Sequence, residues 1–259
     1  MEIIYYIFYF NLWYNRYVAI EGGEGLVTKQ RGALAVIISA IVFGSMPLMA
    51  KIVYQYGSNP ISLVFYRFSL VLPFLFFWVR KNRKDSLKVN SGELKKIIIV
   101  SVFGYATTAL SLFISYIYIP SGMATTIHFT YPIFVILGCI AFFKEKTNII
   151  EMVSVILCFL GIIAFYDGSS EINLMGIGLA FISGITYAFY TIYIDKSGLK
   201  EMGTIKLTFY LCLISSIIIL IFGIITQSLI IDMKPMGWII SISLSILAGI
   251  GGVNLDRLY

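Results

Sequence analysis

The apolar residues of this chain fall in runs of about 20, and that one feature removes most folds from consideration. At 1.5 Å per residue, such a run makes a helix about 30 Å long, the thickness of the hydrocarbon core of a bilayer. Lipid gives backbone N–H and C=O groups no partner, so each run must satisfy its own hydrogen bonds as a helix. Charged residues supply only 12% of the chain, against about 25% in a soluble domain. A water-facing surface cannot be assembled from that supply.

Hydropathy predicts eight spans, near residues 32–54, 60–79, 94–117, 121–143, 148–166, 174–194, 204–226 and 236–253. Turn-forming stretches separate them, among them Gly57-Ser58-Asn59-Pro60, Pro120-Ser121-Gly122, Asp167-Gly168-Ser169-Ser170 and Lys196-Ser197-Gly198. Every linker is short, so the expected fold class is an all-α membrane protein, one polytopic helical bundle of about eight transmembrane helices. Lysine and arginine test the threading independently, because cytoplasmic loops collect them. With residues 28–31 inside, alternate linkers put fifteen Lys and Arg on the inner side and only Lys51 and Lys234 on the outer side. The expected location is the cytoplasmic membrane of the cell, with residues 28–31 and the C-terminus on the cytoplasmic side.

The formal charge of +6 sits between the apolar runs rather than along an exposed face, so no nucleic-acid partner is expected. Cys139, Cys158 and Cys212 are isolated within apolar runs and read as small apolar filler, with no disulfide framework, metal site or cofactor indicated.

Shifting the chain against itself by 144 positions aligns Gly32 with Gly176, Ile38 with Ile182, Ser39 with Ser183 and Ile41 with Ile185. The register holds through the following helix, where Leu63, Phe65 and Tyr66 meet Leu207, Phe209 and Tyr210. The repeat unit is therefore five helices. An odd unit starts its second copy from the opposite membrane face, the inverted repeat common in secondary transporters.

Several segments resemble the EamA-type drug/metabolite transporters: Gly32–Lys51 (GALAVIISAIVFGSMPLMAK), Pro60–Arg67 (PISLVFYR), Tyr131-Pro132 followed by Lys144-Glu145-Lys146, a Gly161-containing fifth helix, and Gly178–Lys196 (GLAFISGITYAFYTIYIDK). The resemblance covers residues 32 to about 250 and implies two five-helix repeats, with helices 1, 3, 4, 6, 8 and 9 around the substrate path and the fifth and tenth more peripheral. Residues 28–168 form the first expected repeat and residues 169–259 three helices of the second. Since the chain stops at Tyr259, an incomplete 5+5 fold is expected, with a frameshift or premature stop as its cause. Residues 1–27 form an aromatic-rich segment that reads as a ninth span, an interfacial helix or an untranslated leader ahead of initiation at Leu26 or Val27.

Few polar side chains lie within the predicted spans, and each is a functional candidate because ionisable groups are costly there. Arg67 sits about 12 Å deep with no Asp or Glu in the predicted membrane core to pair with it. Either carbonyls and water satisfy it, or it faces a cavity and attracts an anionic group of a substrate. Lys51 reads as a snorkelling residue. His128, the single histidine, is either a proton carrier or a helix-packing hydrogen-bond partner, with Thr125 and Tyr131 on the same helical face. Pro132 predicts a kink that frees backbone groups nearby. Glu145, flanked by two lysines, reads as a surface ion pair or an interhelical anchor.

The third helix stacks Ser101, Tyr105, Thr108, Ser111 and Ser115 on one face, and the sixth stacks Ser183, Thr186, Tyr187 and Tyr190. Such stripes either line a wet cavity or join helices. Gly44 and Gly184 read as close-packing positions.

The expected function is secondary transport of small organic metabolites, such as amino acids or related solutes, by alternating access. The alternative is a truncated, non-transporting remnant or a structural membrane protein. No phosphate-binding loop with its lysine is present, so the energy is expected from a gradient or exchange, and no constellation of carboxylates, metal ligands or an activated nucleophile is seen, so no enzyme is expected. The expected partners are the lipid bilayer and a small-molecule solute, with self-association into a homodimer left open.

Overall fold

Asparagine side chains cap three of the described helices, and apolar length is what suits the helices to a membrane. The computed structural model describes residue 41 and residues 44–81, 87–144, 153, 157 and 173–251. The expectations for residues 1–27, most of the fifth predicted helix, Glu145, Cys158 and the C-terminal residues lie outside that set. Helix α1 covers residues 44–55. Asn59 accepts a hydrogen bond from the Ser62 N–H at 2.8 Å, and Pro60, with no N–H to leave orphaned, opens α2 (Pro60–Lys81). Asn90 and Glu93 form a reciprocal capping box at the start of α3 (Ser91–Tyr118). Helix α4 spans Ser121–Phe143. Asn173 caps α5 (Leu174–Ser197), and Gly198, at φ 79°, ends it in the left-handed conformation that glycine adopts without strain. Helices α6 (Thr204–Ile225) and α7 (Pro235–Gly251) complete the described set.

Five of these helices are long and apolar enough to cross a bilayer, at 22 to 28 residues, and α7 is a shorter apolar helix. No strand occurs among the described residues. The protein is an all-α, multi-pass membrane protein, and helices α5, α6 and α7 are the sixth, seventh and eighth predicted from hydropathy. Large apolar side chains such as Phe77, Phe142 and Ile225 point outward, as a lipid-facing surface requires.

Three helices are interrupted, each for a local reason. Pro73 offers no N–H to the Ser69 carbonyl, and α2 turns at Leu70–Val71. Pro132 offers none to the His128 carbonyl, and α4 opens at Phe129–Thr130, as the kink prediction required. In α3 the stretch Ser101–Ala106 is a π-helix, and the Thr107 hydroxyl donates to the Val102 carbonyl at 2.6 Å.

Small residues let these helices approach closely. A Cβ on Gly104 of α3 would lie 2.8 Å from Tyr190 Cβ on α5. At Gly184 it would meet the His128 carbonyl oxygen at 3.1 Å, which accounts for the packing role expected there. Gly44 meets no described atom within 4 Å, so its expected packing role has no counterpart among the described residues.

The two membrane faces are tied by matching grips. On one face Ser62 and Tyr66 of α2 hold the α6–α7 linker: the Ile230 N–H donates to Ser62 Oγ at 2.8 Å, and the Tyr66 hydroxyl donates to the Ile230 carbonyl at 2.7 Å. On the other face, which carries Lys81, Lys88, Lys96, Lys200 and Lys206, residues of α6 hold the α2–α3 linker. There Lys206 Nζ donates to the Lys88 carbonyl at 2.7 Å and the Tyr210 hydroxyl to the Leu87 carbonyl. Lys206 and Tyr210 stand 144 positions after Ser62 and Tyr66.

Replacing Gly104 with alanine should force α3 and α5 apart at a cost of about 1–3 kcal/mol. The thermal midpoint in detergent should fall for Gly104→Ala and stay level or rise for Gly178→Ala, where nothing lies within 4 Å.

Candidate functional site

Arg67 lies one-third of the way along α2, and its neighbours are interior rings. Its guanidinium carbon stands 5.7 Å from the ring centroid of Phe68 and 5.4 Å from that of Phe113. It is within electrostatic reach of Tyr105, Tyr116, His128 and Cys212. Among the described residues no carboxylate pairs with it. The side chain is nevertheless partly accessible.

From this cation a chain of rings crosses the bundle. Tyr105 of α3 lies between Phe68 at 5.1 Å and Tyr190 at 5.5 Å. Tyr190 stacks on Tyr187 at 5.4 Å, and Tyr187 meets His128 at 5.4 Å and Tyr131 at 4.6 Å, edge to face. A second branch runs from Phe113 to Tyr116 at 5.5 Å, whose hydroxyl lies 3.3 Å from Thr125 Oγ1.

Hydrogen bonds tie the same helices together. The Ser183 hydroxyl donates to the Ala180 carbonyl at 2.6 Å, so its oxygen can only accept from His128 Nδ1–H at 2.9 Å. His128 is therefore the Nδ1–H tautomer, with its lone pair at Nε2. The Thr186 hydroxyl donates to the Ile182 carbonyl at 3.0 Å, which leaves Thr108 to donate to Thr186 at 2.8 Å. Ser111 is buried on the same face of α3, and Ser115 bonds within its own helix, to the Leu112 carbonyl at 2.6 Å. The stripes of α3 and α5 thus meet each other: the hydroxyls join the helices, and the rings lead to Arg67.

Phe68, Phe113, Tyr116 and Cys212 belong to this neighbourhood and carried no sequence signal beyond being aromatic or apolar. Cys212 is buried, as filler should be, but it faces Tyr105 within reach of the cation. Among the described residues no group of three or more His, Cys, Asp or Glu could hold a metal ion.

A cation and a ring chain therefore lie in the interior of the helical bundle, and sequence comparisons say which family the bundle belongs to. The family model described as the EamA-like transporter family matches residues 30–166, more than half of the chain. The chain belongs to the EamA-like transporter family. Its EamA-like relatives include an uncharacterized transporter of Archaeoglobus fulgidus, 30% identical over 121 residues, which cover 47% of this chain and 43% of that protein. The uncharacterized transporter YxxF of Bacillus subtilis is 26% identical over 225 residues, covering 85% of this chain and 70% of that one. The chain therefore spans less than half the length of the first relative. A protein of known crystal structure shares the fold, with a TM-score of 0.67 at 12% identity, over 88% of this chain and 78% of its own. The protein is a multi-pass membrane protein of that family.

Coupling between His128 and Ser183 can be measured by a double-mutant cycle with His128→Ala and Ser183→Ala. The expected interaction energy is about 0.6–1.7 kcal/mol, the range found for hydrogen bonds between membrane helices. A value near zero would mean that the two side chains do not meet.

Proposed function

We propose that this EamA-like transporter is a secondary carrier of small organic metabolites that bear a carboxylate, amino acids or related solutes among them, and that it works by alternating access. The observation that carries the reading is the Arg67 guanidinium, held among aromatic faces, partly accessible, and with no carboxylate partner among the described residues. A cation in a low-dielectric site attracts an anion far more strongly than it does in water, and a guanidinium matches a carboxylate in a two-pronged geometry. The unpaired cation is costly alone and is relieved when solute binds.

Alternating access is supported by the paired grips. Each half holds the linker of the other, at opposite faces, through side chains in equivalent positions of the repeat. Both grips are made in this structure, and alternating access adds states in which one holds while the other opens. In this reading residues 28–168 and 169–259 belong to the two repeats, and the lysine-rich face is cytoplasmic in the cell membrane. The candidates Tyr105, Tyr187, Tyr190, Tyr131, Thr125 and His128 line the path, while Thr108, Ser111, Ser183 and Thr186 hold the helices that form it. The Nε2 lone pair of His128 gives a site where a proton could travel with the solute.

Uptake of a panel of radiolabelled small monocarboxylates into proteoliposomes tests the anchor. Transport should be lost in Arg67→Gln and retained in part in Arg67→Lys, which keeps the charge but not the fork. Equal transport by Arg67→Gln at equal reconstitution contradicts it. If protons are coupled, His128→Gln should remove the dependence of uptake on a pH gradient, and an unaltered dependence excludes that role.

A further inference from the structure

We propose that a cleft on the lysine-rich face is the mouth of the solute path, that one apolar layer closes it, and that the Ser101 hydroxyl is the first polar group behind the closure. The proposal rests on the transport reading above but not on Arg67.

The cleft has a volume of about 700 Å³ and lies between the start of α3, the α5–α6 connection and the start of α6. Asn90, Glu93, Lys96, Glu201 and Lys206 give it a polar lining, and its volume suits a small metabolite. Leu199 lines the cleft and also belongs to a buried cluster with Ile97, Val100, Leu207 and Leu211. Tyr105 and Tyr190, the middle of the ring chain, pack against that same cluster. One layer of aliphatic side chains therefore separates the cleft from the rings that lead to Arg67. Lys96 Nζ donates to the Ser197 carbonyl at 2.7 Å, joining α3 to the end of α5 on the cleft wall.

Ser101 stands four residues beyond Ile97 and four before Tyr105, at the start of the π-helical stretch. It is fully buried, and its hydroxyl has no hydrogen-bond partner among the described residues. Buried hydroxyls are normally paired, because an unpaired one has given up water for nothing. The repeat offset of 144 identifies what is missing. The equivalent of Ser101 is Ser245 on α7, also fully buried, and its hydroxyl donates to the Arg67 carbonyl at 2.8 Å. The equivalent of Arg67 is Leu211, a member of the apolar layer. A bond made in one half is thus unmade in the other, at the closure itself. When the layer parts, Ser101 gains water or the Leu211 carbonyl, so its unpaired state favours opening on this face.

Thiol labelling of oriented membrane vesicles tests the proposal without knowledge of the solute. In a chain with Cys139, Cys158 and Cys212 replaced by alanine, a membrane-impermeant methanethiosulfonate reagent is applied to each face in turn. Met202→Cys, in the cleft, should label quickly from the lysine-rich face alone. Ser101→Cys should label roughly tenfold more slowly from that face, and thinning the layer with Leu207→Ala should remove most of the difference. Leu199→Ala provides a second thinning variant if Leu207→Ala disturbs the one-sided Met202→Cys labelling that reports a folded chain. A Ser101→Cys rate unmoved by both variants, or faster from the opposite face, overturns the proposal. Because labelling reads water access, its failure is separate from that of the Arg67 anchor, which only flux reports.

Discussion

Lipid cannot hydrogen-bond, and every polar group this protein carries into the membrane has to be answered by the chain itself. Most are answered visibly. The carbonyl released by the π-helical stretch of α3 takes the Thr107 hydroxyl, the Phe113 carbonyl takes the Tyr54 hydroxyl at 3.0 Å, and His128 and Ser183 satisfy each other between α4 and α5. Against that background the exceptions carry information. Among the described residues the Arg67 guanidinium has aromatic faces but no counter-charge, and the Ser101 and Ser215 hydroxyls have no partner. A structure that answers nearly everything and leaves these groups unanswered concentrates its free-energy cost where a solute or water can relieve it.

The second organising feature is reciprocity between the halves. Ser62 and Tyr66 grip one linker while Lys206 and Tyr210, 144 positions later, grip the other on the opposite face. The chemistry of the grip differs, with serine at one position and lysine at its equivalent, but the geometry is shared. The proposed transport gives this arrangement a use, since a carrier must close one face while it opens the other.

The spans were legible in the sequence because lipid imposes a length and an apolar composition that leave little freedom. Hydropathy ended the fourth span at Phe143, where the helix ends, and began the third at 94, three residues inside Ser91, because Ser91 to Glu93 are polar first-turn residues that no hydrophobic window can see. The stripes on α3 and α5 were legible as well, since helical spacing alone stacks their residues. Whether they line water or meet each other was not, because that depends on the rotation of two helices about their axes. The close approach of Gly104 to Tyr190 and the π-helical stretch set that rotation, and neither has a signature in composition. Phe113 and Cys212 were invisible for a related reason: an apolar residue becomes part of a site only when another helix brings a cation to it.

The central claim is that two inverted halves control the two faces in opposition, and double electron–electron resonance tests it most directly. Spin labels at Gln55 and Asp232 report one face, and labels at Lys95 and Glu201 report the lysine-rich face, all four positions being exposed. Loosening one grip with Tyr66→Phe should lengthen the first distance and shorten the second, and Tyr210→Phe should do the reverse. If either variant moves both pairs outward together, or neither variant moves a pair, the halves do not exchange states and the account is wrong.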